Sequence, residues 1–378
     1  MKVIIAAAGT GGHINPALAI ANKIKQEEKN SEIIFVGTDR GLENDLVPRA
    51  GYELKKIDAY GFNRQISIDN VKKMYKTFKS IGQAKKIIED FKPDIMIGTG
   101  GYICLPVGIA ASKYNVPIVL HESNAFPGVA IKMLAKKAET ILVGFEDAKE
   151  RIKNAKNVVV VGNPSKVKKL NFTEKQKQEI INKIGLTDLS KPIVLVFGGS
   201  QGAQKINESF INIISKKLNK DYQIIWATGP NQYDMIKTKL QSLNISINNI
   251  PNVKILPYIY NMEEVMNVAD LIVSRCGAMT ITEISNLGKP SILIPLPNVS
   301  GDHQTYNAKV LENQKAAKII KNEELNGTIL NETIKEIILD KNKKEEMGKN
   351  ALKVSTTDAE KKIYEEIQRL VNSKKAGK

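Results

Sequence analysis

The sequence predicts two α/β domains, each built around a parallel β-sheet. Short runs that are apolar throughout alternate with helical patterns, which is typical of strands buried on both faces of a parallel sheet. The first run, Lys2 to Ala8, breaks into a glycine-rich turn and continues as a helical pattern from Ala17 to Ile24. The arrangement recurs about 190 residues later, where Ile193 to Phe197 leads into Gly198 to Ala203. Two such units in 378 residues predict two domains that face each other across a cleft.

The predicted elements follow this alternation along the chain. In the first half, the strands are predicted at 2–8, 32–36, 54–57, 94–98, 117–120, 140–143 and 158–161. In the second half, they are predicted at 193–197, 223–227, 253–256, 271–274 and 291–295. Helices are predicted at 17–24, 42–50, 206–218 and 357–371. Gly162 to Pro164 is the predicted hinge, residues 166–190 show no clear element, and the lysine-rich tail beyond Asn372 is expected to fray.

The charge of the chain predicts an anionic partner. Its 56 basic and 40 acidic residues give a net charge of +16, which attracts nucleic acid, an acidic membrane surface or a phosphorylated substrate. A general bias of composition toward lysine is the alternative. Nucleic acid is the least favoured partner, because arginine is scarce and no aromatic stacking pattern accompanies the lysines.

Bulk features also indicate where the protein works. Two cysteines, Cys104 and Cys276, fit a reducing compartment without a disulfide framework. No signal peptide is evident, and no apolar run reaches the roughly 18 residues that span a bilayer. The expected location is therefore cytoplasmic, with contact at a membrane surface left open.

Glycine-rich turns at helix starts predict anion binding through backbone amides and the helix dipole. Neither turn has the GxGxxG spacing of a dinucleotide site, and no GxxxxGK[ST] loop or Asp-x-Asp pair occurs. The three histidines, His13, His121 and His303, lie on separate segments, so a zinc site is not expected. The prediction is an anion held by amides, helix ends and hydroxyls, with no cofactor and no metal ligands. Assistance by a divalent ion in solution stays open.

His13 stands where the first predicted helix begins, directly after Gly11 and Gly12. A neutral imidazole there suits a general base or a substrate contact. The alternative is a histidine that only satisfies local hydrogen bonds.

Polar residues of the second half also fit a bound sugar nucleotide. Ser200 can donate to a phosphate, or can simply cap its helix. Small residues in the segment Ser274 to Thr282 permit close approach of a ligand to a helix start, and Glu283 can accept the two hydroxyls of a ribose. Its alternative is a surface or capping role. The cluster Asp302 to Thr305 suits sugar hydroxyls, with a plain surface loop as its alternative.

Residues 70–90 form a predicted helix that carries lysines and no acid between Asp69 and Glu89. One interpretation is an ordinary helix with a solvated face. The other is a surface that docks on anionic lipid. The apolar side chains that would enter the lipid are Phe62, Ile66, Tyr75 and Phe78.

Six motifs in order resemble the MurG family of bacterial N-acetylglucosaminyltransferases. They are GTGGHINPALA (9–19), HESN (121–124), GNP (162–164), GGSQGA (198–203), SRCGAMTITE (274–283) and DHQTYNA (302–308). The resemblance covers nearly the whole chain. It implies a GT-B fold, with two Rossmann-like domains facing a cleft and a C-terminal helix that crosses back to the first domain. The implied boundaries are 1–163 for an acceptor and membrane domain, 164–350 for a UDP-sugar domain, and 351–378 for the returning helix and basic tail.

The resemblance also implies roles for individual residues. Thr10, Gly11 and Gly12 would face the acceptor diphosphate and the transferred sugar, with His13 as the base. The donor would be held by residues that the matching motifs place around its sugar, phosphates, ribose and uracil, namely Asn124, Lys166, Ser200, Ile259, Ala278, Met279, Thr280, Glu283 and Gln304. Three positions depart from the family pattern. Lys166 replaces an arginine and loses its planar fork, whereas Ser123 and Cys276 remove no needed group.

The implied activity is inverting transfer of N-acetylglucosamine from UDP-N-acetylglucosamine to lipid I, which gives lipid II for peptidoglycan. The implied location is peripheral, on the cytoplasmic face of the cell membrane, with an anionic membrane surface as partner. Cell-wall synthesis proteins stay open as further partners. Two alternatives remain at this point. One is a related GT-B enzyme that uses another lipid acceptor or epimerises the sugar nucleotide, and the other is a non-catalytic membrane-associated binding module.

Overall fold

The computed structural model describes residues 1–61, 68–186, 188, 190–199, 201–247 and 250–376. Ser200, Phe62 and Ile66, on which predictions fall, lie outside the described residues, as do the side chains of Lys72 and Lys73. The chain divides into two compact units. Unit 1 comprises Met1–Ser165 together with Thr356–Lys378, and unit 2 comprises Lys166–Ser355.

Unit 1 contains a seven-stranded parallel sheet, as the buried apolar runs predict. Its strands are β1 (Lys2–Ala6), β2 (Glu32–Gly37), β3 (Glu53–Lys56), β4 (Ile95–Gly98), β5 (Ile118–Glu122), β6 (Thr140–Val143) and β7 (Val158–Val160). Their order in the sheet is β3-β2-β1-β4-β5-β6-β7, and every pairing is parallel. The order reverses between β1 and β4, and ligands of such sheets bind beyond the carboxyl ends of the strands at this point.

Helices cover both faces of this sheet. They are α1 (Gly11–Glu27), α2 (Glu43–Arg49), α3 (Ile68–Phe91), α4 (Cys104–Lys113), α5 (Val129–Leu134) and α6 (Glu146–Lys149). Side chains of α3, α4 and α5 share one apolar core with the sheet. The opposite core contains α1 and the C-terminal helix α15 (Ala359–Ala376), whose Ile363, Ile367 and Val371 are buried there. The last helix therefore returns to the first unit, and it extends to Ala376 where fraying was expected.

Unit 2 repeats the plan with six parallel strands. They are β8 (Ile193–Phe197), β9 (Gln223–Ala227), β10 (Val253–Leu256), β11 (Leu271–Ser274), β12 (Ser291–Leu293) and β13 (Ala317–Ile319). Their order is β10-β9-β8-β11-β12-β13, so the reversal falls between β8 and β11. The prediction of two parallel-sheet α/β domains is confirmed.

The helices of unit 2 pack on a core that includes Phe210 and the fully buried Trp226, whose Nε1–H donates to Asn207 Oδ1 at 2.9 Å. They are α7 (Glu174–Ile184), α8 (Gln204–Ser215), α9 (Pro230–Ser242), α10 (Met262–Val268), α11 (Ala278–Leu287), α12 (His303–Glu312), α13 (Gly327–Ile338) and α14 (Lys341–Leu352). A 3₁₀ turn at Ser300–Asp302 precedes α12.

Helix α7 and strand β13 are among the elements of unit 2 that the sequence analysis does not predict. Helix α7 lies inside 166–190, where no element was predicted, although a capping box formed by Thr173 and Gln176 marks its start. The three-residue strand β13 is too short to produce an alternating or apolar pattern of its own. Strand β13 lies at the edge of the sheet, two strands beyond β11.

Candidate active site

The first glycine turn connects β1 to α1 at the reversal point of the unit 1 sheet. Gly9 has φ +96°, a conformation that favours glycine. Thr10 is the extended N-cap residue, and α1 begins at Gly11, earlier than its apolar pattern suggests. Gly11, Gly12 and His13 therefore lie in the first helical turn, where the His13 amide donates to the Thr10 carbonyl oxygen at 3.0 Å and the Gly11 and Gly12 amides have no acceptor within the helix. This turn presents amides and the positive end of the helix dipole to an anion.

The imidazole of His13 is oriented by the loop that follows β4. Its Nδ1 lies 3.2 Å from the carbonyl oxygen of Thr99, and Thr99 Oγ1 donates to the His13 carbonyl oxygen at 2.8 Å. Because a carbonyl oxygen can only accept, Nδ1 carries the proton of the neutral ring and the lone pair lies on Nε2. This tautomer equips Nε2 to accept a proton from a substrate.

Glycines make room for that ring. Gly100 and Gly101 have φ +98° and +80°. A Cβ on Gly100 would lie 2.7 Å from His13 Nδ1, and a Cβ on Gly101 would lie 3.0 Å from the Ala8 carbonyl oxygen. Both positions thus need glycine for conformation and for space. The segment Thr99 to Gly101 therefore borders the His13 ring and, together with the first glycine turn, forms the candidate site of unit 1.

A buried carboxylate fixes the first glycine of the turn. Glu43 Oε2 accepts the Gly9 amide at 2.9 Å, while Oε1 accepts the Thr38 amide at 3.0 Å and the Thr38 hydroxyl at 2.8 Å. Gly37 and Gly41 leave space for this side chain, since a Cβ on either would lie less than 3.0 Å from it. Glu43 therefore ties together the loops after β1 and β2. The sequence interpretation gave Glu43 no role.

The HESN motif lies at the carboxyl end of β5 and orients Asn124. Glu122 Oε1 accepts the Asn124 backbone amide at 2.9 Å and its Nδ2 at 3.0 Å, while Oε2 accepts the Gly128 amide at 2.8 Å. His121 is fully buried beside them, and its Nε2 lies 3.1 Å from the Gly162 carbonyl oxygen. Burial lowers the pKa of His121 to about 4, so this ring stays neutral at pH 7. His121 is a structural group that links β5 to Gly162.

The second glycine turn borders a cavity of about 500 Å³ at the reversal point of the unit 2 sheet. Its walls come from the loops after β8, β11, β12 and β13 and from the N-terminal parts of α8, α11 and α12. The lining residues are Gly198, Gly199, Gly202, Ala203, Gln204, Lys205, Glu208, Arg275, Gly277, Thr280, Leu296, Pro297, Gln304 and Asn322. The starts of α8 and α11 therefore meet at one cavity, which combines two helix dipoles for an anionic ligand.

Gln304 has a fixed orientation in this cavity. Its Oε1 accepts the Cys276 amide at 3.2 Å and the Leu296 amide at 2.9 Å. Because both partners are donors, the side-chain NH₂ group is left to donate to a ligand. The loop behind it is held by Asn307, whose Nδ2 donates to the Cys276 carbonyl oxygen at 3.1 Å.

Arg275 is a buried cation in the same wall. Its side chain is 8% exposed, and Nη1 donates to the carbonyl oxygens of Ile294 and Pro295 at 3.1 and 3.2 Å. No carboxylate pairs with it among the described residues, and its buried Nε has no hydrogen-bond partner there. Burial lowers the pKa of this guanidinium. An uncompensated buried charge is costly, so an anion in the cavity would stabilise it.

Helix α11 carries the other predicted donor residues. Ala278 is its first residue and is buried, Met279 is half-buried, and Thr280 lines the cavity. Glu283 lies one turn beyond Thr280, half-buried, and no donor within the described part of the chain reaches its carboxylate. Burial raises the pKa of Glu283 to about 7. A carboxylate without a protein partner is suited to ligand hydroxyls.

The structure separates the remaining predicted residues from this cavity. Ile259 follows the edge strand β10 with its side chain buried, so only its backbone is available to a ligand. Lys166 is exposed at the start of unit 2 and is not among the described residues that line the cavity. Lys205, Arg275 and Asn322 line it without having been predicted. Lys205 could have been noticed as a cation beside a glycine turn.

Known proteins share both halves of this architecture. Residues 3–143 match the glycosyltransferase family 28 N-terminal domain, and residues 193–364 match the glycosyltransferase family 28 C-terminal domain. Together with the two glycine turns at the reversal points of the sheets, these matches define a glycosyltransferase. The chain belongs to glycosyltransferase family 28, and the resemblance to the MurG family is confirmed by its relatives.

Those relatives match over their full length. The UDP-N-acetylglucosamine--N-acetylmuramyl-(pentapeptide) pyrophosphoryl-undecaprenol N-acetylglucosamine transferase of Acetivibrio thermocellus is 43% identical, covering 100% of both chains. The enzyme of the same name from Leuconostoc citreum is 44% identical, covering 99% of this chain and 100% of its own. The crystal structure of Acinetobacter baumannii MurG has a TM-score of 0.78 at 27% identity, covering 97% of this chain and 99% of that one. A Staphylococcus aureus MnaA–UDP structure shares the fold, with a TM-score of 0.68 at 18% identity and coverage of 98% and 97%.

Two further observations concern the described residues alone. No group of three or more His, Cys, Asp or Glu side chains there could hold a metal ion. Across the same residues, no helix is both long enough and apolar enough to cross a bilayer.

Proposed function

We propose that this enzyme transfers N-acetylglucosamine from UDP-N-acetylglucosamine to the 4-hydroxyl of N-acetylmuramic acid in lipid I, with inversion at the anomeric carbon. The relatives that match over their full length carry the name of this activity. The observation that carries the mechanism is the 3.2 Å contact between His13 Nδ1 and the Thr99 carbonyl oxygen. This contact leaves the unprotonated Nε2 of the ring beside a glycine turn whose amides suit a phosphate.

The donor binds to unit 2. Its diphosphate occupies the cavity between the starts of α8 and α11, which Thr280 lines. By resemblance to the family motifs, Ser200, Ala278 and Met279 also bind it. The NH₂ group of Gln304 donates to the transferred sugar, and the Glu283 carboxylate accepts the ribose hydroxyls. The backbone at Ile259 receives the uracil, which agrees with its buried side chain. Lys166 replaces the arginine of the family in a supporting contact with the donor.

The acceptor binds to unit 1. Amides of Thr10, Gly11 and Gly12 hold its diphosphate at the start of α1, and Asn124, oriented by Glu122, contacts the donor sugar. The 4-hydroxyl gives its proton to His13 Nε2 while its oxygen attacks the anomeric carbon. The bond from that carbon to the UDP oxygen breaks on the opposite face, so an α-linked donor yields a β-linked product.

Charge grows on the departing diphosphate during this step. Fixed dipoles already aimed at that position stabilise it without reorganisation, which is often the largest contribution to catalysis. In unit 2 these dipoles are the first amides of α8 and α11, and the Arg275 guanidinium adds a positive charge. No metal ion is needed to balance the charge in this scheme.

Unit 1 also carries the surface that we assign to the membrane. Helices α3 and α5 both pack against α4 on one face of the sheet. Their apolar side chains Tyr75, Phe78, Val129 and Met133 are 51–71% exposed. None of the neighbouring lysines of the described segments joins an ion pair, namely Lys79, Lys86, Lys132, Lys136 and Lys137. Exposed apolar groups among unpaired lysines suit the cytoplasmic face of an anionic bilayer.

The experiment that tests this function measures UDP release from UDP-N-acetylglucosamine with a lipid I analogue, with diacylglycerol, and with no acceptor. The proposal predicts release only with the lipid I analogue and an equal amount of disaccharide product. Release with diacylglycerol would support another acceptor, and formation of an epimer without acceptor would support a sugar-nucleotide epimerase. UDP binding without release under any condition would support the binding module.

A further inference from the structure

Lys205 is a cation inside the donor cavity that no family motif assigns. It lies in the first turn of α8, directly after Gln204, and is half-buried among the lining residues. No acidic side chain forms an ion pair with it in the described part of the chain. Glu208, the one acid among the described lining residues, is instead bound by Gln204, whose Nε2 donates to Glu208 Oε1 at 2.9 Å. The ammonium group therefore has no ion-pair partner among the described residues.

A second cation in the same cavity indicates that its ligand is an anion. Arg275 lines the same space at 8% exposure, and its Nε is buried without a partner among the described residues. Lys205 and Arg275 lack carboxylate partners among the described residues and lie beside two helix starts, so the cavity keeps a net positive charge although Glu208 also lines it. A diphosphate fits this balance.

The glycine turn lets a ligand reach Lys205. Gly199 has φ +85°, and a Cβ built there would meet nothing within 4 Å, so its Cα faces open space. Gly202 has φ +78° and packs against the carbonyl oxygen of Thr228. The turn is thus anchored on one side and open on the side of the cavity, where phosphate oxygens can approach the backbone.

We propose that Lys205 binds a non-bridging oxygen of the donor diphosphate and stabilises the negative charge that develops on UDP as the glycosidic bond breaks. This inference rests on the proposed function and adds a specificity residue to it. The ammonium group supplies a point charge, which suits a phosphate. Lys166 is exposed and does not line the cavity, so Lys205 carries the larger share of the electrostatic binding.

The test compares Lys205→Met, Lys205→Arg and Lys216→Met by calorimetric titration of the full-length protein. Lys216 is exposed just beyond the last residue of α8, so its replacement removes the same charge from the opposite end of the same helix. We expect Lys205→Met to weaken UDP binding by about 10- to 100-fold, the range for a hydrogen bond to a charged group. Lys205→Arg should retain most of the affinity, and Lys216→Met should match the wild type.

Uridine and salt provide readouts that a structural defect would not reproduce. Uridine lacks the phosphates, so its affinity should be equal in Lys205→Met and in the wild type. The loss of UDP affinity with rising salt should be less steep in Lys205→Met than in Lys216→Met. Unchanged UDP affinity in Lys205→Met would overturn the inference while leaving the donor site intact. If uridine and UDP weakened equally, a phosphate contact would likewise be contradicted. A wild-type protein that did not bind UDP would overturn the proposed function itself.

Discussion

His13 and Thr99 hold each other through two hydrogen bonds. His13 Nδ1 lies 3.2 Å from the Thr99 carbonyl oxygen, and Thr99 Oγ1 donates to the His13 carbonyl oxygen at 2.8 Å. The pair joins the first turn of α1 to the loop after β4, across the point where the strand order reverses. The position of the proposed base is therefore set by a loop 86 residues away in the sequence.

Replacement of Gly100 by alanine should displace the His13 ring. The new Cβ would lie 2.7 Å from Nδ1, at a residue whose φ of +98° disfavours alanine. A displacement of about 1 Å in a catalytic group can cost about 10²-fold in rate, so kcat should fall by that order while UDP affinity stays unchanged. Steady-state kinetics and calorimetry measure the two quantities. Gly82→Ala is the control, because a Cβ there meets nothing within 4 Å, and its kcat should equal that of the wild type.

Replacement of Glu43 by glutamine should loosen the first glycine turn. A side-chain NH₂ would face the amide of Gly9 or of Thr38, which are both donors. Loss of a charged hydrogen bond should lower the free energy of unfolding by about 2 kcal/mol and raise KM for the acceptor, with donor affinity unchanged. Thr38→Val removes the hydroxyl that donates to Glu43 Oε1 at 2.8 Å and accepts the Arg40 amide at 3.4 Å, and it keeps the bond between Glu43 and the Gly9 amide. Its acceptor KM should stay near the wild-type value, and an equal rise in both variants would refute the positioning role of Glu43.

Donor affinity should depend on the ionisation of Glu283. Burial raises the pKa of Glu283 to about 7, so the carboxyl is mostly protonated at pH 6 and mostly ionised at pH 8. Ribose hydroxyls donate to the ionised form, so affinity for UDP-N-acetylglucosamine should rise about tenfold from pH 6 to pH 8. The sugar nucleotide is the right probe, because its diphosphate diester does not titrate in this range. Glu283→Gln should bind weakly and equally at both pH values. A wild-type affinity that does not vary with pH would exclude Glu283 as the ribose ligand.

Removal of apolar side chains from α3 should weaken binding to anionic vesicles. Tyr75 and Phe78 are 71% and 51% exposed, and each buries apolar area on entering the lipid interface. Vesicle sedimentation with phosphatidylglycerol should show at least a tenfold loss for the double replacement by serine, and weaker binding of the wild type at high salt. Met235→Ser is the control, since Met235 is 53% exposed in unit 2. Equal binding of both variants would contradict the assignment of this surface to the membrane.

The fold could be predicted because its signals are local. Apolar strands, glycine turns and helix starts each lie within a few consecutive residues, so both parallel sheets and both glycine turns follow from the sequence. Helix α7 was missed although its capping box at Thr173 was readable. Strand β13, with three residues, is defined only by its pairing with β12.

The supporting residues of the site could not be predicted because their roles depend on packing over long distances. Glu43 looks like a surface acid at a helix start, and only the folded chain places it under Gly9, 34 residues away. Arg275 appears in a motif as an ordinary cation, and its burial without a carboxylate emerges from the loop after β12. Sequence motifs thus indicated the residues that we propose to contact ligands, whereas the residues that hold these in place emerged only from the fold.

The most direct measurement of the central claim is the rate of lipid I-dependent UDP release in His13→Ala and His13→Gln. Glutamine can still donate to the Thr99 carbonyl oxygen but cannot accept the proton of the acceptor hydroxyl. We expect both variants to lose about 10²- to 10⁴-fold in kcat and to keep wild-type affinity for UDP. Near wild-type turnover in either variant would contradict the role of His13 as the base.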